Sequence, residues 1–169
     1  ATQPDVLFIS SGPDDVGTIV KQFRDAGIDQ PIFGGDGYDT PNLVDIAGKG
    51  AENVYFTTHS LIDEVNGTDA VKKFIAGYKK EFNAPPENAF AGLGYDTVML
   101  IADAIKRAGS TDSKAILEAL NSTKDLPGVT GAISFSGSTI PQKGVSVILV
   151  KDGKFTLAAE VVPEKVPAP

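Results

Sequence analysis

Apolar and polar positions in the first sixty residues switch between two periods. Asp5-Val6-Leu7-Phe8-Ile9 is a short apolar run of the kind buried on both faces of a parallel sheet, and it predicts a first strand. After Ser10-Ser11-Gly12-Pro13, apolar residues recur at Val16, Ile19, Val20 and Phe23, the i, i+3, i+4, i+7 stripe of an amphipathic helix, and Gly27 can close that helix in a left-handed conformation. Pro31-Ile32-Phe33 predicts a second strand. Thr40-Pro41 reads as an N-cap followed by proline at the first helical position, Gly48 ends that helix, and residues 53–57 predict a third strand. The result is a βαβαβ unit, which must be parallel and right-handed.

From Gly67 the pattern becomes helical. Thr68 can cap a helix with Val71, Phe74, Ile75 and Tyr78 on one face and Lys72, Lys73, Lys79 and Lys80 toward solvent. Residues 88–108 form a second helix that is apolar around most of its circumference and therefore expected to be buried against several neighbours. A third begins at Ser110 or Asp112. Residues 131–135 and 145–150 read as strands, Asp152-Gly153 is a tight-turn signal, and residues 154–157 are its return strand. The tail, residues 162–169, is proline-rich and expected to be extended. Three parallel strands in the first third, then helices with no interleaved strand, leave too little sheet for so much apolar helix. Either this is an unusual three-layer α/β arrangement, or another segment supplies part of the fold.

Composition narrows the function classes. The chain has 169 residues, 15 Lys plus Arg against 22 Asp plus Glu, and a formal charge of -7, so it lacks the basic face that phosphate contacts need and no nucleic-acid partner is expected. With no cysteine there is no disulfide, no thiolate nucleophile and no Cys-based zinc site. The longest apolar stretch, around 98–105, is interrupted by Asp103 and is far shorter than a membrane span. No basic, apolar leader opens the chain, so any export signal is expected to have been removed or never present.

Candidate chemistry lies where the predicted strands end. Gly34-Gly35-Asp36-Gly37-Tyr38-Asp39 follows the carboxyl end of the second strand, the place where open α/β sheets bind ligands. Asp36, flanked by glycines, can accept charge-assisted hydrogen bonds from a ligand ammonium; equally, Asp36 and Asp39 can cap the following helix. Two Asp three apart are too few ligands for calcium, and no metal site is expected. The loop of Ser11 and Gly12 opens a helix, but Asp14 and Asp15 already occupy its positive end, which disfavours phosphate; the hydroxyls can orient a polar group or simply cap. No dinucleotide or phosphate-loop motif is present, so no nucleotide cofactor is expected. His59 is the single histidine, stands beside Thr57, Thr58 and Ser60, and has no nucleophile elbow to serve, so it reads as part of a polar connection and not as a catalytic base. Tyr95-Asp96 can face a cleft, although an aromatic at that spacing more often belongs to a core.

Several segments in fixed order carry a resemblance. They are Pro4-Asp5-Val6-Leu7-Phe8-Ile9, residues 20–27, Pro31-Ile32-Phe33-Gly34-Gly35-Asp36-Gly37, residues 51–58 and 71–80, Gly94-Tyr95-Asp96-Thr97-Val98, and residues 101–109. So ordered, with Gly128-Val129-Thr130-Gly131 and the hairpin at 150–155, the chain resembles the carboxyl-terminal half of branched-chain amino acid binding proteins, type I periplasmic solute-binding proteins of ABC transporters. The resemblance implies an α/β fold with parallel βαβ sheet layers, helices on both faces, and half of a two-lobed clamp that grips an amino acid. Residues 1–58 would belong to the carboxyl-terminal lobe and 59–137 to the amino-terminal lobe, with 138–169 forming a return hairpin and tail. By the same resemblance Asp36 receives the ligand's α-ammonium, Ser11 or Gly12 lies on the cleft-facing loop, and Tyr38 is a further cleft candidate. The implied protein is not an enzyme, needs no cofactor, and works outside the cytoplasm, periplasmic or extracellular. Its partners would be a leucine-, isoleucine- or valine-type ligand, a transporter permease, and a missing amino-terminal half or a second copy covering exposed apolar surface. The alternative is a ligand-sensing regulatory domain built on the same clamp.

Overall fold

In chain order the elements are β1 (Leu7–Phe8), α1 (Val16–Asp25), β2 (Ile32–Gly34), α2 (Asn42–Ala47) and β3 (Val54–Thr58). They are followed by α3 (Asp69–Phe82), α4 (Ala89–Ala108), α5 (Ser113–Asn121), β4 (Leu126–Gly128), β5 (Gly131–Ile133), β6 (Val145–Lys151) and β7 (Lys154–Val161). The computed structural model describes residues 3–135, 137 and 139–164, so the end of the proline-rich tail, 165–169, lies outside the described residues. The chain divides into two compact units, Ala1–Leu61 with Val145–Glu160, and Ile62–Gly144 with Val161–Pro169.

The first unit holds a five-stranded sheet in the order β1-β2-β3-β6-β7. The first three strands are parallel, with Ile32 opposite Val54 and Gly34 opposite Phe56, as the βαβαβ pattern predicts. β6 then runs antiparallel to β3, pairing Ile148 with Phe56. Ile32, Val54, Phe56, Ile148 and Val150 share one face and bury it against Val16 and Val20 of α1 and Leu43 of α2. The period of two along β6, where Ser146, Ile148 and Val150 are buried, shows the hydrophobic pattern selecting register.

Two polar anchors secure this unit. Arg24, at the end of α1, donates to the carbonyls of Ile28, Gln30, Gly50 and Glu52, joining the exit of the helix to the entries of β2 and β3. The β6–β7 turn places Asp152 and Gly153 at φ 52° and 68°, the left-handed pair of a two-residue hairpin. The amides of Asp152 and Gly153 donate to the Glu52 carboxylate at 3.1 and 2.8 Å.

The first strand differs from expectation. It is only two residues long and sits at the sheet edge, with Val6 exposed and Phe8 72% exposed. A strand paired on one side only leaves part of its apolar surface open. Phe8, Phe33, Tyr55 and Leu149 are in register across the sheet on the face opposite α1 and α2, and the Phe33 and Tyr55 rings stack with centroids 6.3 Å apart.

In the second unit the helix boundaries follow their capping residues. Thr68 Oγ1 accepts from the Val71 amide, Asn88 Oδ1 from Phe90, and Asp112 Oδ1 from Lys114 and Ala115. Asn83 and Gly109 close α3 and α4 in the left-handed conformation. Arg107 of α4 reaches the Ala119 carbonyl, Ser122 and Thr123, docking α5. Asp96 is buried in α4 and accepts three hydrogen bonds from one turn: Val129 N at 2.7 Å, Thr130 N at 2.8 Å and Thr130 Oγ1 at 2.7 Å. Lys143 donates to the same Thr130 hydroxyl; burial lowers its pKa, and Asp96 opposes that shift.

Two expectations change here. The short β4, carrying Pro127, pairs antiparallel with the expected strand β5 although no strand is predicted at 126–128; three residues with a proline among them are too few for periodicity to register. Helix α4 is not enclosed by this chain: it buries Ala89, Gly92, Asp96 and Ala104, while Val98 is 65% exposed and Met99 and Ile101 are also open. The units part after Leu61 and before Val145; Ser138, where the return segment is expected to begin, lies outside the described residues.

Candidate functional site

The loops leaving β1 and β2 form the polar edge of the first unit. Parallel pairing sends both chains out of the sheet at the same end, so Ser11 and Gly12 arrive beside residues 35–38. Contact between the loops is close: a side-chain carbon at Gly37 would overlap the Ser11 carbonyl oxygen and lie 3.3 Å from Gly12 Cα. Only glycine fits. Gly34 likewise makes room for the Tyr38 ring, whereas Gly35 and Gly12 face open space. Gly34 and Gly37 therefore serve internal packing.

Tyr38 is a correction to the sequence reading. It is fully buried, not cleft-facing, because the 3-10 turn at Asp36–Tyr38 rolls its ring inward toward Phe56, with centroids 6.3 Å apart. Its hydroxyl donates to the Ile9 carbonyl at 2.9 Å, tying the turn after β2 to the end of β1. Burial pushes its pKa up to about 12. The residue shapes the loop from beneath.

Asp36 remains open, its side chain 57% exposed, and caps no helix. Its Oδ2 stands 3.5 Å from His59 Nε2. Asp39 turns inward, buried, and accepts from Thr58 Oγ1 at 2.7 Å. The two carboxylates thus separate into one committed to the fold and one presented outward. Ser11 is half-buried and Gly12 exposed, and the Ser11 hydroxyl makes a long local contact to the Gly12 carbonyl at 3.3 Å. The neighbouring hydroxyl and carboxylate together suit a ligand carrying a positive charge and a hydrogen-bonding group. Sequence reading missed the placement of His59 beside Asp36; the available signal was that both follow the ends of adjacent parallel strands. Among the described residues no group of three or more metal-ligating side chains converges, and no helix is long and apolar enough to cross a membrane.

A second feature lies wholly within the second unit. Phe74, Tyr78, Phe82, Tyr95, Met99 and Val129 line an apolar groove of about 860 Å³. Its rings form a continuous series, with Tyr95 5.4 Å and Tyr78 5.7 Å from Phe74, and Phe82 4.5 Å from Tyr78. Tyr95 therefore packs on α3 and stays half exposed. So large an open apolar surface needs a cover.

Comparison with known proteins agrees with the resemblance carried by the ordered segments. The sequence model of the family described as "Periplasmic binding protein" matches residues 1–151. The chain is 30% identical over 133 residues to Leu/Ile/Val-binding protein homolog 3 of Brucella melitensis, covering 78% of this chain and 35% of that protein. It is 28% identical over 122 residues to the leucine-, isoleucine-, valine-, threonine- and alanine-binding protein of Pseudomonas aeruginosa, covering 72% and 31%. Among solved structures, the leucine binding protein LivK of Thermotoga maritima matches with a TM-score of 0.83 at 34% identity, over 95% of this chain and 45% of that one. The branched-chain amino acid transporter substrate binding protein LivJ of Streptococcus pneumoniae, in complex with isoleucine, matches with a TM-score of 0.79 at 34% identity, over 96% and 45%. The chain spans about a third of the length of the two curated relatives and under half of the two solved ones.

Proposed function

The chain belongs to the periplasmic binding protein family, and on that premise we propose that it forms part of a two-lobed extracytoplasmic clamp that binds a branched-chain amino acid and hands it to an ABC transporter permease. The first unit contributes to the carboxyl-terminal lobe and the second to the amino-terminal lobe. Asp36 receives the α-ammonium, with Ser11 and the open backbone at Gly12 as neighbouring polar contacts. No bond is made or broken; ligand-induced closure is the output, presenting the permease with a surface that the open clamp lacks.

The observation that carries this reading is the division of labour between the carboxylates. Asp39 is buried on Thr58, whereas Asp36 is held outward at the carboxyl end of a parallel strand. The relatives' names supply the ligand class: proteins binding leucine, isoleucine and valine, and a solved structure containing isoleucine. The exposed Phe8 on β1 and the groove beside α4 are surfaces that the remainder of a longer clamp would cover.

The test is Asp36→Asn in the full-length protein. A charge-assisted hydrogen bond contributes about 1.5–3 kcal/mol, so L-leucine or L-isoleucine affinity should fall roughly ten- to 150-fold by calorimetry while the folded baseline is retained. Unchanged affinity would remove Asp36 from the site.

A further inference from the structure

Asp36 already has a titratable partner in reach. His59 Nε2 lies 3.5 Å from Asp36 Oδ2, and both side chains are partly open to solvent, 34% and 57% exposed. The topology fixes this pairing. Gly34 and Phe56 are register partners on β2 and β3, and Asp36 and His59 follow them by only a few residues at the same end of the sheet. Two carboxylates belong to the segment that faces Thr58 and His59. Asp39 is buried and accepts from Thr58 Oγ1, whereas Asp36 is the carboxylate that solvent and a ligand can reach.

We infer that His59 regulates ligand uptake by occupying, in its protonated form, the place at Asp36 that a ligand ammonium takes, so that binding there releases a proton. This rests on the reading of Asp36 as the ammonium acceptor. Imidazolium and ammonium are alternative counter-ions for one carboxylate. When His59 is protonated, Asp36 is already neutralised, and the ligand must displace that ion pair. When His59 is neutral, Asp36 presents its full negative charge. Neither the ammonium nor the carboxylate of an amino acid titrates between about pH 5.5 and 8, whereas histidine is the side chain suited to do so. Affinity should therefore rise with pH and level off above the His59 midpoint. For each pH unit below that midpoint, binding weakens by up to about tenfold if the two cations exclude one another.

Two measurements on the full-length protein test this. The first follows the His59 ring resonance by NMR through a pH titration, assigned with His59→Gln, in the wild type and in Asp36→Asn. Loss of the carboxylate should move the His59 midpoint to lower pH, and an unmoved midpoint overturns the coupling. The second measures L-isoleucine affinity by calorimetry from pH 5.5 to 8. The wild-type curve should bend at the midpoint found by NMR, and His59→Gln should flatten it. A wild-type affinity that depends on Asp36 but not on pH overturns the role of His59 alone, as does a pH dependence that survives in His59→Gln. If L-isoleucine fails to bind at every pH, the ammonium reading of Asp36 fails first and this inference fails with it.

Discussion

Replacing Gly37 by alanine tests the geometry on which the candidate site is built. The added methyl would overlap the Ser11 carbonyl oxygen and press on Gly12 Cα at 3.3 Å. Both obstacles are backbone atoms, so no side chain can swing aside, and the loop after β1 must retreat by on the order of 1 Å to restore contact distance. Tyr38 resists that movement, because its hydroxyl is bonded to the Ile9 carbonyl just upstream. Overpacking of this kind costs about 1–3 kcal/mol. With a urea dependence of about 2 kcal/mol per molar, the unfolding midpoint should fall by roughly 0.5–1.5 M. Gly35→Ala is the matched control. Its backbone is extended (φ -90°, ψ -165°) and nothing lies within 4 Å of the new carbon, so it should leave stability equal or raise it by about 0.4–1 kcal/mol through the unfolded chain. Urea melts followed by circular dichroism separate the two variants. Equal midpoints for Gly37→Ala and Gly35→Ala would refute the close packing of the two loops.

Two further outcomes follow from buried polar groups. Tyr38 is held protonated to about pH 12, above its unfolded value near 10, so its contribution to stability is complete below pH 10 and declines as pH rises from 10 to 12. About 2–3 kcal/mol should be lost across that interval, and Tyr38→Phe should show a correspondingly flatter alkaline unfolding profile; parallel profiles would contradict the assignment. Asp96→Asn turns one acceptor oxygen into a donor facing amides that also donate, which should destabilise the second unit by about 3 kcal/mol and remove hydrogen-exchange protection at Val129 and Thr130. Persistent protection at both amides would count against the cluster.

Local signals made much of this architecture legible. The apolar stripe of Val16 and Val20, the cap at Thr68 and the Asp152-Gly153 turn each act over a few residues, so periodicity and turn chemistry predict them directly. Non-local partners were harder to see. The burial of Tyr38 depends on Gly34 beneath its ring and on the Ile9 carbonyl, which arrives from another strand. The pairing of His59 with Asp36 depends on strand adjacency, which the residues around either one do not reveal. Helix α4 misled for a different reason: an apolar circumference reports that a helix is to be covered, but not by what. The site was legible as a place, the loop around Asp36, and less so as a set of contacts.

The carboxylate of Glu52 receives amides from residues a hundred positions further along the chain. Residues 62–144 of the second unit therefore interrupt the first, and β3 acquires its antiparallel neighbour only after that stretch has been synthesised. Contacts this distant in sequence slow folding, because a long loop must close before they form. On a ribosome the growing chain would carry β3 with its inner edge unpaired, open to wrong partners for as long as β6 remains in the exit tunnel. Slower maturation is the kinetic cost of threading one polypeptide through one unit, into another and back.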